Sequence, residues 1–379
     1  MRESDWKDVI DRLGKGFSSR AAGYDESDTF VTSNWEELKA EKLFSAMVPT
    51  ELGGGGLAHS GMCRLIRRMG SYCGSTALAF SMHQHLVAAA VWNYRHGRPG
   101  EKLLRRVAEG EAVLVSTGAN DWLQSSGTLE ACDGGFRFSG SKAFSSGCPA
   151  GDLLLTSGRY NDPSQGWQVL HFPVPLSAAG VHVGNNWKAM GMRGTGSHTV
   201  VLANVFVPVD AIGARRPMGK YHQLWDIVLT VALPLISAAY VGIADAAAAI
   251  ARRRAARRQD DVTATLVGEM ANELTTASLA LDSMTSLAND FDFEPSIETT
   301  NEILIRKTIA TQAVIGTASK ALEVAGGSGY LRPFGLERLI RDAYAGQFHP
   351  LMPRKQHLFT GRVMMGLNVD DGAPGGDNN

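Results

Sequence analysis

The spacing of apolar positions changes twice along this chain. Up to about residue 108 they recur at helical intervals. Residues 35–47 form one such run, which Pro49 closes, and residues 75–95 form another, rich in small residues and apolar on nearly every side. The stretch 51–57, with four successive glycines, reads as a flexible loop, because no Lys-Ser/Thr pair follows it and no strand precedes it. From Ala112 the period drops to two. Segments 112–117, 128–132, 136–144, 152–157, 168–173, 181–185 and 198–207 alternate or run apolar, and turn signals such as Asp133-Gly134-Gly135 and Asn161-Asp162-Pro163 divide them. That spacing predicts a β-barrel or sandwich of roughly a hundred residues. Beyond Gln223 the helical period returns in three long runs, 226–258, 263–289 and 297–325. Their alanine-rich, widely apolar faces need neighbours on most sides, which predicts a four-helix bundle with apolar surface left over for oligomerisation.

The expected architecture is therefore α+β and multidomain: helices over 1–108, a β-domain over 109–214, a helical bundle over 215–366 and a disordered tail over 367–379. Length fits this, since 379 residues can bury a large core. A formal net charge of -1 gives no electrostatic case for nucleic acid or anionic lipid. Basic residues do cluster at Arg252-Arg253-Arg254 and Arg257-Arg258, which fits either a solvated helix face or a phosphate or subunit contact. The four cysteines lack metal-ligand spacing and suit free thiols in a reducing compartment. His83 and His85 are two apart and share no helix face, so no metal site is expected; they fit a role near a cleft. The N-terminus is charged and amphipathic without a signal-peptide core, and Pro234, Ser237 and Gly242 interrupt the apolar run 227–243, so it reads as buried helix. A cytoplasmic enzyme without membrane attachment is the expectation.

Three segments carry a resemblance. VPTELGGGGL at 48–57 is similar to the glycine-rich segment that follows the N-terminal helices of the acyl-CoA dehydrogenase superfamily. The pair GGFRFSGSKAFSSGCPAGDLLLTSG and WKAMGMRGTGSHTVVLANVFVP resembles that superfamily's middle-domain strands, and GGSGY with LERLIRDA, at 326–343, resembles its C-terminal signature. The resemblance covers nearly the whole chain. It implies a flavoenzyme whose FAD is lined by Ser116, Thr117, Phe144, Ser145 and Ser146. Gly326, Gly327 and Gly329 would let backbone approach the cofactor across a subunit boundary of a homotetramer or homodimer. A flavin needs such backbone donors, a grip on its phosphates and an apolar wall near its reactive edge.

Departures from the family pattern fall at the chemistry. The family's Thr-Glu-Pro segment is here Ser116-Thr117-Gly118-Ala119-Asn120-Asp121-Trp122, and its Arg-x-x-Phe-Gly is replaced by ARRRAARRQDD. Dehydrogenation of an acyl thioester requires a carboxylate that takes the α-proton. The usual Glu position falls on Pro350 and the alternative position near Ala232, so neither supplies a base. His349 is the candidate catalytic residue in their place. Arg193 to His198, RGTGSH, together with His349-Pro350, resembles the branch containing two-component flavin monooxygenases, which trap O₂ as a C4a-(hydro)peroxide on reduced flavin. Two readings follow. The slightly favoured one is α,β-dehydrogenation of a CoA or carrier-protein thioester, with an electron-transfer flavoprotein as partner. The alternative is monooxygenation of a small aromatic or amine substrate, with FMNH₂ or FADH₂ delivered by a flavin reductase. The substrate pocket is expected among His83, Trp122, Arg193, His198 and the bundle helices.

Overall fold

The computed structural model describes residues 3–117, 121–258 and 260–370. Five helices lead: α1 (Glu3–Ser27), α2 (Thr32–Ala40), α3 (His59–Gly70), α4 (Gly74–Arg95) and α5 (Glu101–Gly110). α1 buries Trp6, Ile10, Leu13, Phe17 and Ala21, the single stripe that its sequence period dictates. α2 stops earlier than the apolar run suggests. Lys42 takes a φ of 56° and the Leu43 amide closes back on the Leu38 carbonyl. Leu43, Phe44, Ala46, Met47 and Val48 are then all buried, so the segment has no solvent face on which a surface helix could sit. The Glu111 carboxylate accepts the Phe44 and Ser45 amides at 3.0 and 3.3 Å and satisfies the turn.

The middle of the chain forms one eight-stranded sheet from β1 (Leu114–Ser116), β2 (Thr128–Cys132), β3 (Gly135–Lys142), β4 (Leu153–Asp162), β5 (Gly166–Pro175), β6 (Val181–Val183), β7 (Val200–Pro208) and β8 (Ala214–Pro217). The order is β6-β7-β3-β2-β4-β5-β8, and β1 adds to β4 in parallel. β2 and β3 close with Cys132 opposite Gly135, so Asp133-Gly134 is a two-residue hairpin loop, as the turn signal implies. Phe138, Leu154, Leu170, Phe172, Val200 and Val205 make a separate core under this sheet. β8 carries no alternation to betray it, because Arg215 and Arg216 occupy its middle.

The last part is helical: α6 (Leu224–Ala255), α7 (Asp261–Ala288), α8 (Ile297–Ala325), α9 (Leu336–Tyr344) and α10 (Pro353–Met364). Asp260 and Ser296 cap α7 and α8 by accepting the Thr263 and Thr299 amides at 2.8 and 3.1 Å. α6 lies at the centre and packs on α3, α4, α7 and α8. Small residues permit this. A Cβ on Gly242 would lie 2.1 Å from the Arg67 carbonyl oxygen of α3, and one on Gly70 would lie 2.4 Å from that of Ala239. Among the described residues α6 is the one helix long and apolar enough to cross a membrane, and 94% of its apolar window is buried inside the protein. The stretch expected to be a disordered tail begins tied down: Asp370 accepts the Tyr221 amide at 2.8 Å and the Lys220 ammonium at 2.9 Å. Residues 371–379 lie outside the described ones.

Candidate active site

The segment after α9 returns to the middle of the molecule and places His349 against α6. Its Nε2 sits 2.8 Å from the Tyr240 hydroxyl, and the two rings meet edge to face. Behind this turn the buried Lys307 of α8 donates to the carbonyls of His349 and Leu351 at 2.8 and 3.2 Å. Burial, the Lys307 ammonium and His85 together push the His349 imidazole down to about 3. It is neutral at pH 7. Burial and the nearby Asp342 carboxylate hold the Tyr240 phenol well above its ordinary value, so it keeps its proton. A neutral imidazole thus meets a protonated phenol, and a proton can be shared without either group becoming charged.

These rings form one wall of a cavity of about 200 Å³. Leu78 and Met82 of α4 and Phe348 and Met352 beside His349 make it apolar, and Phe144, Ser146, Trp187, Met192, Thr195 and Ser197 close it from the middle domain. A hydroxyl chain runs along that side: Ser146 Oγ to Ser197 Oγ at 2.8 Å, Ser197 to Thr195 at 2.7 Å, and Thr195 to the Met192 carbonyl at 2.9 Å. Phe144 and Met192 both hold left-handed backbone, with φ of 58° and 54°. For side chains of this size that is a strained conformation of the kind that gathers at functional sites. Phe144 is 46% exposed and stands edge to face with Trp187 at 6.0 Å. None of the described residues lining the cavity is an Asp or Glu.

The segment carrying Trp187 and Met192 is held by α9. Asp342 accepts the Met192 amide, and Arg341 donates to the Met190 carbonyl at 2.9 Å while pairing with Asp25 and Glu337. Gly191 is needed for this approach, since a Cβ there would lie 2.3 Å from the Arg341 carbonyl oxygen. Burial raises the Asp342 carboxyl to about 6. The Arg-Asp-Ala of the C-terminal signature therefore ties the bundle to the cavity wall.

Of the residues singled out from sequence, Phe144, Ser146 and His349 line this cavity together. The others do not. Ser145 is buried beside it, its amide on the His198 carbonyl and its hydroxyl on the Lys142 carbonyl. His198 Nδ1 accepts the Trp187 amide at 3.0 Å, so it supports the wall from behind. Arg193 turns away to Asp25, Asp28 and the Ala189 carbonyl. His83 is wholly consumed by backbone: Nδ1 accepts the Leu114 amide at 2.9 Å, which leaves Nε2 as donor to the Phe44 carbonyl at 2.9 Å. It joins α4 to β1 and the turn after α2, outside the expected pocket. Trp122 packs on Tyr221, Trp225 and Phe359. Ser116 ends β1, and the Thr117 hydroxyl bonds Thr156 at 2.8 Å inside the sheet. Gly118, Ala119 and Asn120, the middle of the substituted Thr-Glu-Pro segment, lie outside the described residues. Gly326, with φ of 65°, starts a turn near Arg258 whose Tyr330 is 79% exposed, and Gly327 and Gly329 follow in it. Sequence reasoning missed Tyr240, Lys307, Trp187 and Ser197. Lys307, a lone lysine in an otherwise apolar helical stripe, was the one signal available for them.

The family model for the acyl-CoA dehydrogenase N-terminal domain matches residues 8–111, and that for the C-terminal domain matches residues 234–354. Among curated proteins, the chain is 28% identical to a dibenzothiophene monooxygenase of Mycolicibacterium goodii over 92% of its own length and 91% of that protein's. It is 29% identical to an L-evernosamine nitrososynthase of a Micromonospora species over 90% and 84%. Among solved structures, KijD3 in complex with FMN and dTDP-3-amino-2,3,6-trideoxy-4-keto-3-methyl-D-glucose superposes with a TM-score of 0.88 at 25% identity, over 97% of this chain and 95% of that one.

Proposed function

The chain belongs to the acyl-CoA dehydrogenase family of flavoenzymes, and from that premise we propose that it is a reduced-flavin-dependent monooxygenase of a small aromatic or amine substrate. One observation carries the reading: among the described residues the cavity has no carboxylate on its walls. Removing an α-proton from an acyl thioester needs a strong, positioned base. His349 is held neutral, but with its conjugate acid at about 3 it is a weaker base than a free imidazole. Dehydrogenation with His349 as base, the reading slightly favoured on sequence, is the less supported of the two on this geometry. The relatives named monooxygenase and nitrososynthase lean the same way.

The residues present suit a flavin. The half-exposed Phe144–Trp187 pair offers an aromatic wall, and the Ser146 hydroxyl beside it is anchored on Ser197. Ser116, Thr117 and Ser145 would back it in the middle domain, and Gly326, Gly327 and Gly329 of a second subunit would approach its phosphate. When bound, reduced flavin supplies the electrons that activate O₂. This chain's own part is to keep water out with Leu78, Met82, Phe348 and Met352, and to hold a proton between Tyr240 and His349. The cavity is on the scale of about 150 Å³ known to admit one benzene ring, which favours a compact substrate. FMN, as in KijD3, and FAD both remain within the proposal, as do a flavin reductase partner, a homotetramer or homodimer, and a cytoplasmic location.

The test offers chemically reduced FMN or FAD, ¹⁸O₂ and a panel of aromatic and amine compounds to the purified protein. Label from O₂ in the product supports the reading. Anaerobic bleaching of bound oxidised flavin by an acyl-CoA, with no label incorporated, overturns it in favour of dehydrogenation. His349→Ala should leave flavin affinity within a few-fold and remove most turnover.

A further inference from the structure

Lys307 is 2% exposed in the interior of α8, and no Asp or Glu pairs with it among the described residues. Burying an ammonium without a counter-charge is costly, and replacing it by a hydrophobic side chain is ordinarily neutral or stabilising. Its hydrogen bonds both go to one short turn, at the carbonyls that flank Pro350. That same turn carries His349 to Tyr240, and a Cβ added at Gly346 near its start would lie 3.2 Å from Thr311 and 3.4 Å from Tyr240. The ionisable groups facing the turn are Tyr240 from α6, His85 from α4, Lys307 from α8 and His349 itself; the nearby carboxylate, Asp342 of α9, acts on Tyr240 and is not among the groups that shift His349. The only full positive charge in this group therefore belongs to the residue that holds the histidine's backbone.

We propose that Lys307 is a positioning residue for His349, acting through the two carbonyls it holds and through the positive charge it places close to the ring. The turn has two jobs in the site: to set the imidazole on the Tyr240 hydroxyl, and to present it uncharged. A neutral donor could do the first; for the second a cation adds to burial, because it opposes a second positive charge nearby. Burial alone lowers the lysine to about 8, so at neutral pH it is charged and the imidazole is not. Its bearing on catalysis rests on the monooxygenase reading above; its effect on His349 does not.

The experiment measures deuterium exchange at the imidazole C2 position by mass spectrometry, peptide by peptide and as a function of pH, on the full-length protein. His349 is identified by the loss of its signal in His349→Gln. In Lys307→Met the exchange midpoint of the 349 peptide should rise by about one pH unit or more, and backbone amides of 346–352 should exchange faster. Lys307→Gln, which keeps a donor without the charge, should shift the midpoint while leaving the amides closer to wild type; it also serves if the Met variant does not fold. Lys307→Arg should restore both. A midpoint unchanged in the Met and Gln variants overturns the proposal, because a merely structural lysine would loosen the amides and leave the titration alone. With reduced FMN and O₂, the shifted variants should release a larger share of reducing equivalents as H₂O₂. A shifted midpoint in a protein that oxygenates nothing would leave this inference standing and retire the monooxygenase reading.

Discussion

His83 offers a direct measure of how protonation couples to this fold. Both its nitrogens bind backbone, one as acceptor from the Leu114 amide and one as donor to the Phe44 carbonyl. That pattern requires a neutral ring, since an imidazolium has no acceptor. Burial accordingly lowers it from an ordinary 6.5 to about 4. Above pH 6.5 the ring is neutral whether the chain is folded or not, and protonation contributes nothing. Between 6.5 and 4 the unfolded chain binds a proton that the folded one refuses, so stability falls as pH falls, and the loss levels off below 4. At pH 5 the linkage amounts to about 2 kcal/mol. In His83→Gln the amide side chain also offers one donor and one acceptor but does not titrate. The variant should be less stable than wild type at pH 7, having lost the edge-to-face contact with Phe44, and should regain about 2 kcal/mol relative to it at pH 5. Urea midpoints of both proteins at the two pH values give the comparison. Every other histidine is common to both proteins and cancels. Parallel pH dependence would refute the account, and would mean that the folded ring accepts its proton at a cost the geometry does not reveal.

Three further outcomes follow from the polar ties. Arg341→Ala should cost about 3 kcal/mol, because Asp25 stays buried with only Arg193, at 3.9 Å, left to pair with it; amide exchange over 186–192 should rise well above that of the sheet strands. Lys142→Met should cost about 3–5 kcal/mol by stranding the buried Asp121, and adding Asp121→Asn should recover most of it in thermal melts. Gly242→Ala should destabilise by forcing α6 away from α3, where the added methyl would stand 2.1 Å from the Arg67 carbonyl oxygen; a melt unchanged to within a degree would show that the two helices can part freely.

Much of the fold was legible because period and punctuation agree in it. The long runs 226–258, 263–289 and 297–325 correspond to α6, α7 and α8 within a few residues, each having polar or capping residues at its ends. β2 was legible to the residue, since Asp133-Gly134 fixes where it must turn. The misses have physical causes. The run 35–47 lost its helix at Ala40 because tertiary burial consumed every face of the following residues. β8 escaped because a sheet edge beside β5 can hold Arg216, whose guanidinium is satisfied by the carbonyls of Trp122, Leu123 and Gln124 rather than by water.

The site divides along a different line. Hydrophobic period reports which residues are inside, but it does not distinguish a polar group facing a cavity from one that holds backbone together. His83, Arg193 and His198 have the composition of pocket residues and spend their polar atoms on amides, carbonyls and acids. Tyr240 has the composition of a core residue in the most apolar helix of the chain, and its hydroxyl meets His349. The C-terminal signature shows the same split. Its Arg341 and Asp342 fasten the cavity wall from α9, while seven residues after Asp342 the chain presents His349, next to the Pro350 on which the resemblance puts the usual glutamate position. The fastening residues and His349 reside in adjoining but separate turns. The groups that meet the second turn, Tyr240 from α6 at the His349 ring and Lys307 from α8 at its carbonyl, come from helices about 110 and 40 residues away in sequence. No local pattern could join them; only the packing of α6 against α8 does.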